Sequence, residues 1–199
     1  MAARIGVMGG SFDPIHLGHL VAASEVAYRF ALDRVVFTPT GDSWHKEPDR
    51  RAPGELRLRM ALAATRDDAR FEVSRVDIDR PGPTYTVDTL RDLRAEHAAE
   101  HPDEPAEWFF ITGADALSEI LTWRDPEGIV AAATLIGVTR PGHVLADPGL
   151  PSARVSLVEI PALAISSSDI RRRVRAGEPI DYLVPAEVAR IIAEHGLYS

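Results

Sequence analysis

The stretch RIGVMGGSFDPIHLGHL, residues 4–20, decides the fold. Arg4–Met8 is a short apolar run rich in β-formers that ends on Gly9-Gly10, so it reads as a buried strand. From Leu17 to about Ala31, Leu20, Ala23, Ala27 and Phe30 recur at helical spacing, with Glu25 and Arg29 on the other side. Strand, glycine turn and helix make a βα unit.

The same rhythm continues outward. Arg34–Thr38 reads as a second strand stopped by Pro39, and Thr40–Pro53 as a long polar loop, a feature that is often functional in compact domains. A helix over Glu55–Thr65 leads to a third strand at Phe71–Arg75. A helix over Thr86–Ala98 and a turn at Glu100–Pro105 lead to a fourth at Trp108–Thr112. Ala114–Leu121 and Pro126–Ala132 read as helices, Thr134–Val138 and Val155–Ile160 as strands, and Asp169–Arg175 and Pro185–Glu194 as two closing helices. This alternation predicts an α/β fold of the Rossmann-like, doubly wound kind: a parallel sheet with helices on both faces and a small C-terminal helical extension. One domain over residues 1–199 is expected, its helical extension covering about 165–199.

Composition narrows the function classes. With no cysteine, disulfides, thiolate metal sites and cysteine nucleophiles are excluded. No apolar run approaches the roughly 18 residues of a membrane span, and the start MAARIGVMGGS lacks the pattern of a signal peptide, so a cytoplasmic protein without a membrane partner is expected. A net charge of −8 disfavours a broad nucleic-acid surface, so an anionic ligand needs a local cationic pocket. The basic residues are 21 arginines and one lysine, Lys46, and a lone lysine kept against that skew is a candidate functional group, set against a solvated side chain. A homo-oligomer is neither required nor excluded.

Ligands of open parallel sheets bind beyond the carboxyl ends of the strands, where strand order reverses, and the loop Gly9–His19 is delivered there. Gly9 and Gly10 allow close approach of backbone to a phosphate, and Pro14 stiffens the turn. His16 and His19 share one face of the first helical turn, where free N–H groups and the helix dipole favour an anion. No G-x-G-x-x-G or Walker A loop is present, no acidic residue ends the second strand, and zinc held by the histidines lacks a third ligand at a familiar spacing. Late in the chain, Ile165-Ser166-Ser167-Ser168-Asp169-Ile170-Arg171 sets hydroxyls at a helix start with an arginine one turn in, a second phosphate cradle or an ordinary cap. Arg172 and Arg173 read as solvated.

GGSFDPIH-x-GH together with ISSSDIR resembles the nucleotidyltransferase superfamily that shares H-x-G-H with class I aminoacyl-tRNA synthetases. A chain of 199 residues is too short for a synthetase, and the lysine-rich second signature is missing. His45-Lys46, Thr84-Tyr85-Thr86, Gly113-Ala114-Asp115, Trp123 and Tyr182–Tyr198 are similar to the bacterial nicotinate-nucleotide adenylyltransferases. Ser11 and Ser168 stand where many relatives carry threonine, and Asp42-Ser43-Trp44 replaces a proline-rich approach to the lysine.

The resemblance implies transfer of the adenylyl group of ATP to nicotinate mononucleotide, giving nicotinate adenine dinucleotide and pyrophosphate, a step of NAD biosynthesis. It implies His16, His19, Lys46 and Arg171 as catalytic residues, and Gly9, Gly10, Ser11, Phe12, Gly113, Asp115, Ser167 and Ser168 on ATP. Thr84, Tyr85, Thr86 and Trp123 would hold the mononucleotide, with core packing the competing reading for Trp123 beside Leu117, Ile120 and Leu121. Trp108 is assigned to the sheet boundary. Mg²⁺ would arrive on ATP, with no metal site of the protein's own. Two rivals stand beside this reading: a phosphopantetheine adenylyltransferase, and a non-catalytic module that senses a pyridine nucleotide.

Overall fold

The computed structural model describes residues 2–41, 51–139, 155–161 and 163–199. Six parallel strands lie in the order β3-β2-β1-β4-β5-β6: β1 Ala3–Gly10, β2 Arg34–Pro39, β3 Phe71–Val73, β4 Ala106–Gly113, β5 Thr134–Thr139 and β6 Val155–Glu159. The helices are α1 Leu17–Arg29, α2 Gly54–Thr65, α3 Val76–Asp79, α4 Thr86–Glu100, α5 Ala114–Ser118, α6 Pro126–Ala132, α7 Ser167–Arg175 and α8 Ala186–Glu194. This is the expected Rossmann-like α/β sheet.

Alternation along the strands divides the interior in two. Met8, Val35, Phe37, Phe109, Ile111 and Ile136 face α1, α2 and the closing helices, whose Ala23, Val26, Met60, Ile170, Val188 and Ile191 fill that side. Ile5, Val7, Val36, Phe110 and Leu135 face the other way, against Leu90 and Leu93 of α4, Leu117 of α5 and Ile129 of α6. Full burial of each such side chain contributes roughly 1.5–3 kcal/mol, so both layers are needed to hold a sheet with apolar residues on both faces.

Several expected boundaries shift for identifiable reasons. The strand ladder takes in Gly9-Gly10 and Pro39: Gly10 pairs with Pro39, and Thr40 N–H reaches the Gly10 carbonyl at 2.9 Å, so the glycine pair and the proline are the last residues of their strands rather than stops beyond them. The third strand stops at Val73 rather than Arg75. Ser74 N–H makes the last bond to Phe37, its hydroxyl accepts from Val76 N–H at 3.1 Å, and the chain turns into α3, which sequence reading missed. The helix expected over Ala114–Leu121 breaks after Ser118, whose hydroxyl donates to the Asp115 carbonyl at 2.6 Å, and a 3-10 turn follows at Ile120–Thr122. Helix α1 closes at Arg29 instead of Ala31, which takes φ 45°.

Candidate active site

β1 neighbours β2 on one side and β4 on the other, so strand order reverses between β1 and β4. At the carboxyl ends of these strands lies a cavity of about 420 Å³. Gly9, His16, Gly18 and His19 form one wall and Thr112, Gly113 and Asp115 the other. Thr139, Ile160, Pro161, Leu163 and Ile165 close the side toward β5 and β6. A side chain at Gly113 would meet nothing within 4 Å, so the backbone there is open to a ligand.

His16 is the residue before the first turn of α1, in extended conformation, and His19 is three residues on. His16 N–H donates to His19 Nδ1 at 3.2 Å, which leaves Nε2 of His19 to carry its proton. The two rings stack with centroids 3.7 Å apart. Gly18 permits this, because a Cβ there would come within 3.0 Å of His16 Nδ1. Burial lowers the His16 pKa to about 4; burial and the neighbouring His16 lower that of His19 to about 3. At neutral pH the pair is therefore uncharged, so what it can offer an anion is N–H donors rather than two cations.

Phe12, expected on ATP, turns its ring inward at φ 46°. The ring is buried, edge-on to His19 at 5.1 Å and tilted against Phe37 at 5.7 Å, so it supports the histidine from behind. Gly10 has a matching steric duty, since a Cβ there would lie 3.2 Å from that ring.

Asp13, Arg57 and Tyr198, to which sequence reading gave no role, tie the site loops together. Asp13 is fully buried and its Oδ1 accepts from Ala52 N–H at 3.0 Å and from the Tyr198 hydroxyl at 2.6 Å. Arg57, 2 % exposed, donates to the carbonyls of Ser11, Gly41 and Ala52. Arg171 donates to the Asp13 carbonyl at 2.7 Å and to Ser168 Oγ at 3.2 Å, with its guanidinium 3.7 Å from Asp13 Oδ2. Ser166 caps α7 by accepting from Asp169 N–H at 3.1 Å, and Ser167 donates to the Pro14 carbonyl at 2.9 Å. Arg172 and Arg173 pair with Asp169 and Glu178, in keeping with the solvated reading.

The cytidylyltransferase-like family model matches residues 7–173. A relative from Acidothermus cellulolyticus, named probable nicotinate-nucleotide adenylyltransferase, is 60 % identical over 197 residues, 98 % of this chain and 94 % of its own. One of the same name from Streptomyces coelicolor is 61 % identical over 191 residues, 96 % of this chain and 98 % of its own. The chain belongs to the nicotinate-nucleotide adenylyltransferases. It is thus an enzyme of the nucleotidyltransferase class. Its fold is shared with the Plasmodium falciparum nicotinic acid mononucleotide adenylyltransferase complexed with NaAD, at TM-score 0.75, 20 % identity, and 98 % and 97 % coverage of the two chains.

In this adenylyltransferase the residues suggested for the mononucleotide stand apart from the cavity wall. Thr84 Oγ1 accepts from Gly41 N–H at 3.0 Å, which joins the end of β2 to the turn before α4. Tyr85 precedes α4 in extended conformation, with Thr86 the first helical residue, and the Arg124 guanidinium lies 4.6 Å over the Tyr85 ring. Trp123 is half-buried and edge-on to Phe110 at 6.0 Å, so it does pack against the second core. The same Phe110 ring lies 3.6 Å from where a Cβ on Gly9 would be, which places this cluster across β1 and β4 from the histidines. Trp108 meets His97 edge-on at 5.8 Å, opposite Ile5 near the start of β1. His45 and Lys46 lie outside the described residues.

Proposed function

We propose that the cavity between His16–His19 and Gly113–Asp115 takes ATP and that the Thr84–Thr86 turn with Trp123 takes nicotinate mononucleotide. The mononucleotide phosphate attacks the α-phosphorus of ATP; the bond to the β-phosphate oxygen breaks and pyrophosphate leaves, giving nicotinate adenine dinucleotide. The nucleophile is already an anion, so the enzyme needs alignment and charge stabilisation rather than a general base. His19 and His16 donate to the triphosphate, Gly9, Gly10 and Ser11 approach it through their backbone, and Lys46 bridges the reacting phosphates. Ser168 and Arg171 receive the pyrophosphate end, whereas the Ser167 hydroxyl proton is committed to Pro14. Gly113 and Asp115 hold the adenosine ribose.

Mg²⁺ enters on ATP, because it keeps its waters and commonly binds through substrate phosphates. The observation that carries the reading is the neutral, stacked histidine pair at the start of α1, facing Gly113 and Asp115 across one cavity. Preference for the acid over the amide is supported by three acids flanking the Thr84–Thr86 turn among the described residues, each of which is already paired with arginine: Asp77 with Arg80, Asp79 with Arg75, Asp88 with Arg91. The N–H groups at the start of α4 suit a carboxylate, and these three paired acids are not free to welcome an amide. Pyrophosphate release with ATP, Mg²⁺ and either mononucleotide tests this. At least about tenfold higher kcat/KM for the acid is expected, and equal efficiency or preference for the amide would overturn the acceptor assignment.

A further inference from the structure

Asp13 places a carboxylate in the interior immediately behind the histidine loop, and its surroundings are uneven. Oδ1 accepts two hydrogen bonds, from Ala52 N–H and the Tyr198 hydroxyl. Oδ2 is buried without a hydrogen bond among the described residues and looks toward the Arg171 guanidinium 3.7 Å away, a gap too long for a direct bond. Arg171 is instead held by the Asp13 backbone carbonyl on one nitrogen and by Ser168 Oγ on the other.

A buried carboxylate recruits donors until its charge is satisfied, and the Arg171 guanidinium, 3.7 Å from Oδ2, is a cation within its reach. What keeps the carboxylate from drawing the arginine in is the supply of donors on Oδ1. Burial and the Asp13 charge push the Tyr198 phenol well above its usual range, so the hydroxyl keeps its proton and remains a donor at every working pH.

We propose that Tyr198 is a positioning residue for the adenylyl-transfer reaction: by donating to Asp13, it holds Arg171 beside Ser168, facing the phosphates, instead of retracted onto the carboxylate. Tyr198 touches no substrate and acts through Asp13 and Arg171. The inference rests on Arg171 serving the pyrophosphate end.

The test is a double-mutant cycle on the full chain, with kcat, the two KM values and melting temperature measured for wild type, Tyr198→Phe, Arg171→Ala and the double variant. Tyr198→Phe deletes one oxygen and keeps the ring packing. It is expected to lower kcat about tenfold, the equivalent of about 1.4 kcal/mol, while KM for the mononucleotide stays within about twofold. With Ala at 171 there is no guanidinium to retract, and the same change should then cost less than about twofold. A loss that repeats undiminished in the Arg171→Ala background marks a merely structural hydroxyl and overturns the proposal, as does Tyr198→Phe turning over like wild type. Arg171→Ala with unimpaired turnover would instead sink the role given to Arg171 and the positioning of it together, a pattern distinct from either.

Discussion

Lowering the pH should destabilise this protein through His16 and His19, by an amount that follows from their burial. Unfolded histidine titrates near 6.5, and in the fold His16 and His19 are depressed to about 4 and about 3. Above pH 6.5 both states leave the rings neutral, and the linkage contributes nothing. As the pH falls below 6.5 the unfolded chain binds protons that the folded chain refuses, so stability drops until the pH reaches the folded values. At pH 5 each ring is 1.5 units below its unfolded pKa and still neutral in the fold, which costs about 2 kcal/mol per ring at 1.36 kcal/mol per unit. Together they remove about 4 kcal/mol, a large part of the roughly 5–15 kcal/mol available to a typical domain. The assay is urea unfolding at pH 7.5 and pH 5 for wild type and for the His16→Asn/His19→Asn double variant, in which the other titrating groups cancel. The stability of wild type relative to the variant should fall by about 4 kcal/mol between the two pH values. A difference that does not change with pH would show that the rings are protonated in the native state, and the description of them as neutral donors would be wrong.

Three further outcomes are expected. His19→Ala should leave melting temperature within a few degrees and lower kcat by roughly 10²–10³, the usual cost of a lost donor to transition-state charge, as measured by pyrophosphate release. Lys46→Ala should lower turnover by roughly 10²-fold, and Lys46→Arg should restore it only partly because a planar guanidinium does not replace a compact ammonium; full activity in the alanine variant would return the residue to solvent. Asp125 caps α6 from a left-handed conformation at φ 50°, its carboxylate accepting from Gly128 N–H at 3.0 Å. Asp125→Ala should therefore cost about 1–2 kcal/mol and lower the melting temperature by roughly 2–8 °C, whereas Asp125→Asn should keep both cap and backbone.

Strand and helix order was readable because apolar spacing is set by burial on two faces, and that part of the physics is local. The histidine pair was readable as well, since its position after a strand and a glycine pair puts it at a helix start. Its charge state was not, because that depends on Phe12 and the walls that bury both rings. Arg57 carried a faint signal: with Gly54, Leu58 and Ala61 it falls on the buried face of α2, where a charge needs partners. Among its partners are backbone carbonyls of two loops, Ser11 after β1 and Gly41 and Ala52 after β2, and no residue pattern announces those. Nothing in the sequence around Asp13 set it apart, and Tyr198, 185 positions away, gave no indication that it would return to it. The end of the third strand was misread for a related reason, as the alternation of Phe71 and Val73 with polar residues does not mark where pairing stops, while the turn is made by one serine hydroxyl.

The bond between Tyr198 and Asp13 also has a bearing on the order in which the molecule assembles. Bringing together two points 185 residues apart in a flexible chain carries an entropic cost of about 4.6 kcal/mol from the length-dependent part alone, against about 2 kcal/mol for a loop of ten. No single hydrogen bond offsets that, so the contact waits until β1, α1, α2 and α8 have already docked and shortened the path. Turnover in a refolding sample then reports completion of the whole topology, whereas helicity and tryptophan fluorescence report the sheet and its cover, and the two signals measure different stages of the same event.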